Sequence, residues 1–141
     1  MRRVVVDPGV LVSAIITPAG PPAEIVRAVR DGRLELVVSP HLLAELRAVL
    51  DRDKFRRYVS VEEVDEYLEG LALLATTFED PQVTHAPAGD PADEYLLALA
   101  RVTGAWLVSG DAGVLGQSQP GLRTLTPRAL VDERAAGEPL A

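Results

Sequence analysis

Residues 90–111 restrict the fold class more than any other part of the chain. Asp90-Pro91-Ala92-Asp93-Glu94-Tyr95-Leu96-Leu97-Ala98-Leu99-Ala100 places a proline in a first helical turn and then repeats apolar residues at helical spacing. The pattern stops before Gly104. The next residues, Ala105-Trp106-Leu107-Val108-Ser109-Gly110, read as a buried strand, and Asp111 stands where that strand ends. On a wheel of about 100° per residue, Asp93 falls on the side of Leu96, Leu97 and Ala100, whereas Glu94 and Arg101 share the opposite, polar side. A carboxylate on an apolar helix face is costly unless something pairs with it. Asp93 is therefore the residue to explain, and Asp111 is its natural companion.

The same alternation of helix and strand runs through the rest of the chain. Arg3 to Val6 is a β-branched run that reads as a buried strand ending at Asp7. Pro8-Gly9 reads as a turn, and Val10 to Ile16, with Ser13 inside it, as a short buried helix. After a Pro- and Gly-rich loop, Pro22 opens a helix with Ile25, Val26 and Val29 on one face, ended by Asp31-Gly32. Leu34 to Val38 is the second strand, and Ser39-Pro40 a strong helix start. The helix that follows buries Leu42, Leu43, Leu46, Val49 and Leu50, with Glu45 at the margin of the stripe. Asp51 to Tyr58 is a short charged helix or turn, and Ser60-Val61-Glu62-Glu63 resembles a capping box opening a helix to about Ala75. Thr76 to Phe78 and Val83-Thr84 are short extended pieces, Leu122 to Leu125 is a last strand, and Thr126-Pro127 starts a terminal helix. Helices separating strands predict one α/β domain with a mostly parallel sheet over residues 1–136, and a fraying tail over 137–141.

Composition removes several function classes. With 48% hydrophobic residues, disorder of the whole chain is excluded. No apolar run approaches the roughly 20 residues that span a bilayer, and Val4 to Val6 is cut at Asp7, too short for a secretory leader. A cytoplasmic protein with no membrane contact is expected. The absence of cysteine rules out disulfide scaffolds, thiol chemistry and Cys-based zinc sites, and two histidines argue against a zinc enzyme. His41 in a first turn and His85 in a loop read as surface residues, and Trp106 as core. A net charge of −7 argues against a general nucleic-acid coat protein. It leaves open an enzyme whose acidic site holds metal ions that then meet phosphate. Arg47, Arg52, Lys54, Arg56 and Arg57 crowd one segment, either as a solvated helix end or as a phosphate-facing edge.

In a parallel α/β sheet, ligands bind beyond the carboxyl ends of the strands. Asp7 and Asp111 end two apolar strands, while Glu45 and Asp93 sit in early helical turns that overhang the same edge. Four acids from four segments are thus candidates for one pocket, where unpaired they would repel one another. A hard divalent cation with oxygen ligands resolves that conflict, and Mg²⁺ commonly bridges such carboxylates to phosphate oxygens. Hydrolysis of a phosphodiester follows as the candidate chemistry. Each acid also has a structural alternative: Asp7 and Asp111 as strand-end caps, Glu45 as the partner of an arginine, Asp93 as a first-turn acid favoured by the helix dipole. Asp90 serves equally as the helix N-cap or as a group beside the metal. Ser13 bonds either a carboxylate, a phosphate or its own helix backbone; Ser109 carries the same alternatives, with a lean toward the pocket. Phe55 and Tyr58 either stack on bases or pack between helices.

Four segments together resemble the PIN domain, in particular the VapC-like ribonuclease toxins of toxin–antitoxin pairs. They are Val4-Val5-Val6-Asp7 with Val10-Leu11-Val12-Ser13-Ala14, then Ser39-Pro40-His41-Leu42-Leu43-Ala44-Glu45-Leu46, then Asp90-Pro91-Ala92-Asp93 with Leu96-Leu97-Ala98-Leu99-Ala100, and finally Leu107-Val108-Ser109-Gly110-Asp111 with Leu115. The resemblance implies a three-layer α/β/α sandwich and a Mg²⁺- or Mn²⁺-dependent endoribonuclease acting on RNA. Asp7, Glu45, Asp93 and Asp111 would then be the catalytic, metal-binding quartet, with Asp90, Ser13, Ser109 and Arg47 beside the metal or the substrate. It further implies a homodimer and a cognate antitoxin protein as partner. The chain departs from the family where Asp-Thr-Asn or Asp-Ser-Asn is usual, reading Asp7-Pro8-Gly9, and where a further acid often follows Asp111 it has Gly113 and Val114. A second implied reading is a degenerate PIN domain that binds RNA or protein without cutting.

Overall fold

Val4-Val5-Val6 offers water no polar side chain, and in the computed structural model, which describes residues 1–82, 91–116 and 121–137, it is the buried end of strand β1 (Arg2–Val6). The other strands are β2 (Leu34–Val38), β3 (Thr76–Thr77), β4 (Trp106–Val108) and β5 (Thr124–Leu125). They form one sheet in the order β3-β2-β1-β4-β5, and every pairing among the described residues is parallel. The central strand pairs Val5 with Val37 on one side and with Leu107 on the other. Between the strands run α1 (Pro8–Ile16), α2 (Pro21–Arg30), α3 (Pro40–Leu50), a single 3₁₀ turn (Asp53–Phe55), α4 (Val61–Leu74), α5 (Pro91–Thr103) and α6 (Ala112–Leu115), with α7 (Pro127–Gly137) last. Helices flank the sheet in the expected α/β/α arrangement. Helix α5 packs on β1 and β4, α2 on β2 and α7, and α1 on α2 and α3.

Helix boundaries follow local chemistry. Ser39 caps α3 by accepting from the Leu42 amide at 3.3 Å, with Pro40 at the first helical position. Ser60 and Glu63 form both bonds of a capping box at the start of α4, at 3.1 and 2.9 Å. Gly104, at φ 70°, makes the left-handed turn from α5 into β4, a conformation that costs other residues about 1–2 kcal/mol.

Several expectations are corrected. Pro8-Gly9 is not a turn: Pro8 opens α1 directly, and Asp7 is its N-cap. Helix α2 begins at Pro21, one residue early, and β5 is only Thr124–Leu125, although the Arg123 carbonyl already accepts from the Leu107 amide at 2.9 Å. Leu43 and Val49 are half-buried beside the fully buried Leu42, Leu46 and Leu50. The wheel of α5 misassigned Glu94. Glu94, expected on a polar side, is only 6% exposed, and its Oε1 has no hydrogen-bond partner among the described residues; Asp93, expected on the apolar side, is half-buried. Every residue from Glu94 to Ala100 is buried, so the early turns of α5 have no wet stripe on which a polar side could lie. Trp106 is only half-buried, packed against the core but with the Arg2 and Arg123 guanidiniums over its ring at 4.2 and 4.3 Å. Asp90, His85 and Val83-Thr84 lie outside the described residues, as does the expected tail beyond Gly137. Among the described residues no single helix is long and apolar enough to cross a membrane.

Ser60→Ala removes the side-chain acceptor of the capping box. It is expected to lower unfolding stability by about 1 kcal/mol, read in urea as a lower midpoint with an unchanged slope.

Candidate functional site

In this strand order the chain leaves the central strand in opposite directions, toward β2 and β3 on one side and toward β4 and β5 on the other. A crevice therefore opens beyond the carboxyl ends of β1 and β4. Asp7 is the first residue past β1, and its amide still donates to the Val108 carbonyl at 2.9 Å. Ser109 is the first past β4, with its own amide donating to Leu125 at 3.1 Å. The sheet hydrogen bonds thus deliver Asp7 and Ser109 side by side.

The Ser109 hydroxyl, fully buried, donates to Asp7 Oδ2 at 2.8 Å and accepts from the Asp111 amide at 3.0 Å. Asp7 Oδ1 accepts from the Gly9 amide at 3.0 Å, and Asp111 Oδ1 accepts from the Gly113 amide at 2.8 Å. Both acids are therefore helix N-caps, of α1 and α6; Asp7 directly follows β1, whereas Asp111 stands three residues past β4, which ends at Val108 and not at Gly110 as expected. Each has one oxygen fixed by a backbone amide. The second oxygen of Asp7 is aimed by Ser109, and that of Asp111 has no hydrogen bond among the described residues. Asp7 and Asp111 line one open cleft of about 520 Å³ together with Gly9, Ser13, Pro22 and Pro127. Ser13 is exposed on this wall, not buried, and its hydroxyl donates back to the Gly9 carbonyl at 3.1 Å.

Glu45 does not line that cleft. It is half-buried on α3 and accepts, through Oε2, from the Tyr95 hydroxyl of α5, not from an arginine. Burial pushes the Tyr95 phenol well above its usual pKa, as do the bond to Glu45 and the charges of Glu45, Asp7 and Asp80. One hydroxyl thus feels acids from β1, from α3 and from the segment after β3. The Asp80 carboxylate accepts from the His41 amide at 3.2 and 3.1 Å, and the exposed His41 ring meets the Tyr95 ring edge-on at 4.2 Å. Asp93 is half-buried in the first turn of α5 and has partners of its own. Arg47 is committed to Asp65 of α4 at 3.0 Å. In the basic segment Arg56 donates to the Leu50 carbonyl, whereas Arg52, Lys54 and Arg57 are exposed beside an exposed Tyr58, which packs between no helices.

Among the described residues no three His, Asp or Glu side chains close around one point. The donors at the cleft are nonetheless all oxygens, with two carboxylates on one wall. That chemistry fits Mg²⁺, which is usually held by one or two carboxylates plus waters and substrate phosphates. Sequence reasoning missed Asp80 and Tyr95. A two-residue β3 gives too weak a periodic signal to show that Asp80 follows a strand end. Tyr95 offered one clue: its hydroxyl stands within a run of leucines and alanines, and a buried phenol needs a partner.

The fold is similar to that of PAE2754 from Pyrobaculum aerophilum, with a TM-score of 0.65 and 15% identity over 96% of this chain and 90% of that one. It is also similar to VapBC2 from Rickettsia felis bound to a DNA fragment from their promoter, with a TM-score of 0.62 and 13% identity over 88% of this chain and 98% of that one. No curated protein matches the chain by sequence. Residues 3–113, which take in β1, the cleft acids and every helix from α1 to α5, match the PIN domain, and the chain belongs to that family.

Proposed function

We propose that this PIN domain is a Mg²⁺- or Mn²⁺-dependent endoribonuclease, the toxin of a toxin–antitoxin pair. One observation carries the reading: Asp7 and Asp111 face a single cleft at the β1/β4 crevice and are tied together by Ser109. Asp7, Glu45, Asp93 and Asp111 are the metal-binding acids in this reading. When bound, a divalent cation supplies an activated water and offsets the charge of the phosphate. The chain's own part is orientation. The Gly9 and Gly113 amides pin one oxygen of Asp7 and Asp111, and the Ser109 proton holds the other oxygen of Asp7. Arg52, Lys54 and Arg57 guide the RNA backbone, a role left to them because Arg47 is paired with Asp65. Residence in the cytoplasm, a homodimer and a cognate antitoxin complete the reading. The likeness to VapBC2 supports the partner, on fold alone.

A second reading, a PIN domain that binds RNA or protein without cutting, is favoured by one finding: no three described acids close around one point. Cleavage of a mixed single-stranded RNA pool separates the two. Wild type with Mg²⁺ or Mn²⁺ is expected to cut, and Asp7→Asn and Asp111→Asn to lose that activity while staying folded by circular dichroism. Folded, metal-saturated wild type that cuts no better than either variant would leave the binding reading in its place.

Ser109→Ala keeps both acids and removes the hydroxyl that donates to Asp7 and accepts from the Asp111 amide. Cleavage is expected to fall about 10- to 100-fold, the usual effect of losing a group that orients a metal ligand. A rate within twofold of wild type would show that Ser109 only closes the sheet edge.

A further inference from the structure

We propose that Tyr95 is a positioning residue of the metal site, its hydroxyl fixing the Glu45 carboxylate across the gap between α5 and α3. The inference rests on the reading of Glu45 as a metal-binding group and adds a residue to which that reading gives no part. Glu45 stands on α3 with three rotatable bonds between its backbone and its charge. Among the described residues the Tyr95 hydroxyl is the one hydrogen bond that holds it. The bond engages Oε2 and leaves Oε1 for a cation. Tyr95 is itself buried, 8% exposed, within a run of α5 in which every residue from Glu94 to Ala100 is buried. Its ring is backed by His41, whose amide is clamped by both oxygens of Asp80. Asp80, His41, Tyr95 and Glu45 so form one chain of contacts, from the end of β3 through the first turn of α3 to α5 and back to α3. Packing alone would be served by phenylalanine. The hydroxyl is explained by a carboxylate that must be presented in one orientation, and metal ligands are held by such outer hydrogen bonds as a rule.

Tyr95→Phe keeps the ring and its contact with His41 and removes only the donor. Compared with wild type, its Mn²⁺ affinity, measured from free Mn²⁺ by electron paramagnetic resonance, is expected to fall about 10- to 100-fold. At fixed metal, kcat on RNA should fall with KM unchanged, and raising Mn²⁺ should restore the rate, which a fold defect would not allow. Wild-type affinity and kcat in Tyr95→Phe, with both lost in Glu45→Gln, would overturn the role of Tyr95 and leave the metal site standing. Unchanged Mn²⁺ affinity in Glu45→Gln would overturn the reading of Glu45 and the inference with it, as would a wild type that binds no Mn²⁺. One further measurement needs no variant at Tyr95. Titration of wild type with Mg²⁺ should shift the Tyr95 ring resonance with the midpoint of metal binding, and a resonance that stays still while metal binds would overturn the proposal.

Discussion

Burial of β1 on both sides is the constraint on which the rest of the structure depends. Val4, Val5 and Val6 are at most 1% exposed, and Val4 and Val5 are paired with β2 and β4 at once, so no charge can be placed among them. Asp7 stands at the first position where one can. A parallel sheet aligns its strands so that every chain emerges at the same edge, and neighbouring exits fall about 4.8 Å apart. Asp7 and Ser109 are such neighbours, and their contact follows from strand pairing with no further device. The acidic cleft is where it is because the apolar core ends there.

The two cleft acids serve the fold and the site with different oxygens. As N-caps of α1 and α6, Asp7 and Asp111 each use Oδ1 to satisfy a backbone amide. A capping acid is stabilised by the helix end it caps, which offsets part of the repulsion between carboxylates that face one cleft. Capping also removes side-chain freedom before any ligand arrives. A group already ordered loses little entropy on binding, so the structural and functional roles reinforce each other.

Much of this was legible in the chain. The second strand, the caps at Ser39 and Ser60, the short turn after α3 and the acid at the end of β1 all rest on local signals, which tertiary packing left intact. The failures share one cause. A helical wheel assumes a dry side and a wet side, and α5 has no wet side from Glu94 to Ala100, so Glu94 was wrongly assigned to a polar side. Contacts that cross between segments were equally hidden. The link from Tyr95 to Glu45 spans 50 residues and the clamp of Asp80 on His41 spans 39, and no periodicity encodes either. Trp106 looked like core for the same reason: the arginines that flank it come from the start of β1 and from the approach to β5.

At Asp7-Pro8-Gly9 the acid is oriented with no side-chain donor on either of the two residues that follow it. Proline at the first helical position sacrifices an amide that the helix would leave unbonded in any case, so Pro8 costs the cap nothing and presets its φ. The amide that reaches Asp7 Oδ1 is that of Gly9, a position where any residue supplies the same N–H. The hydroxyl that reaches Asp7 Oδ2 comes from Ser109, across the sheet and fully buried. A donor on the next residue can turn away into solvent; a donor on the neighbouring strand is held there by the sheet. Asp7 therefore has both oxygens fixed, one by its own helix and one by β4, and its orientation depends on the pairing of β1 with β4.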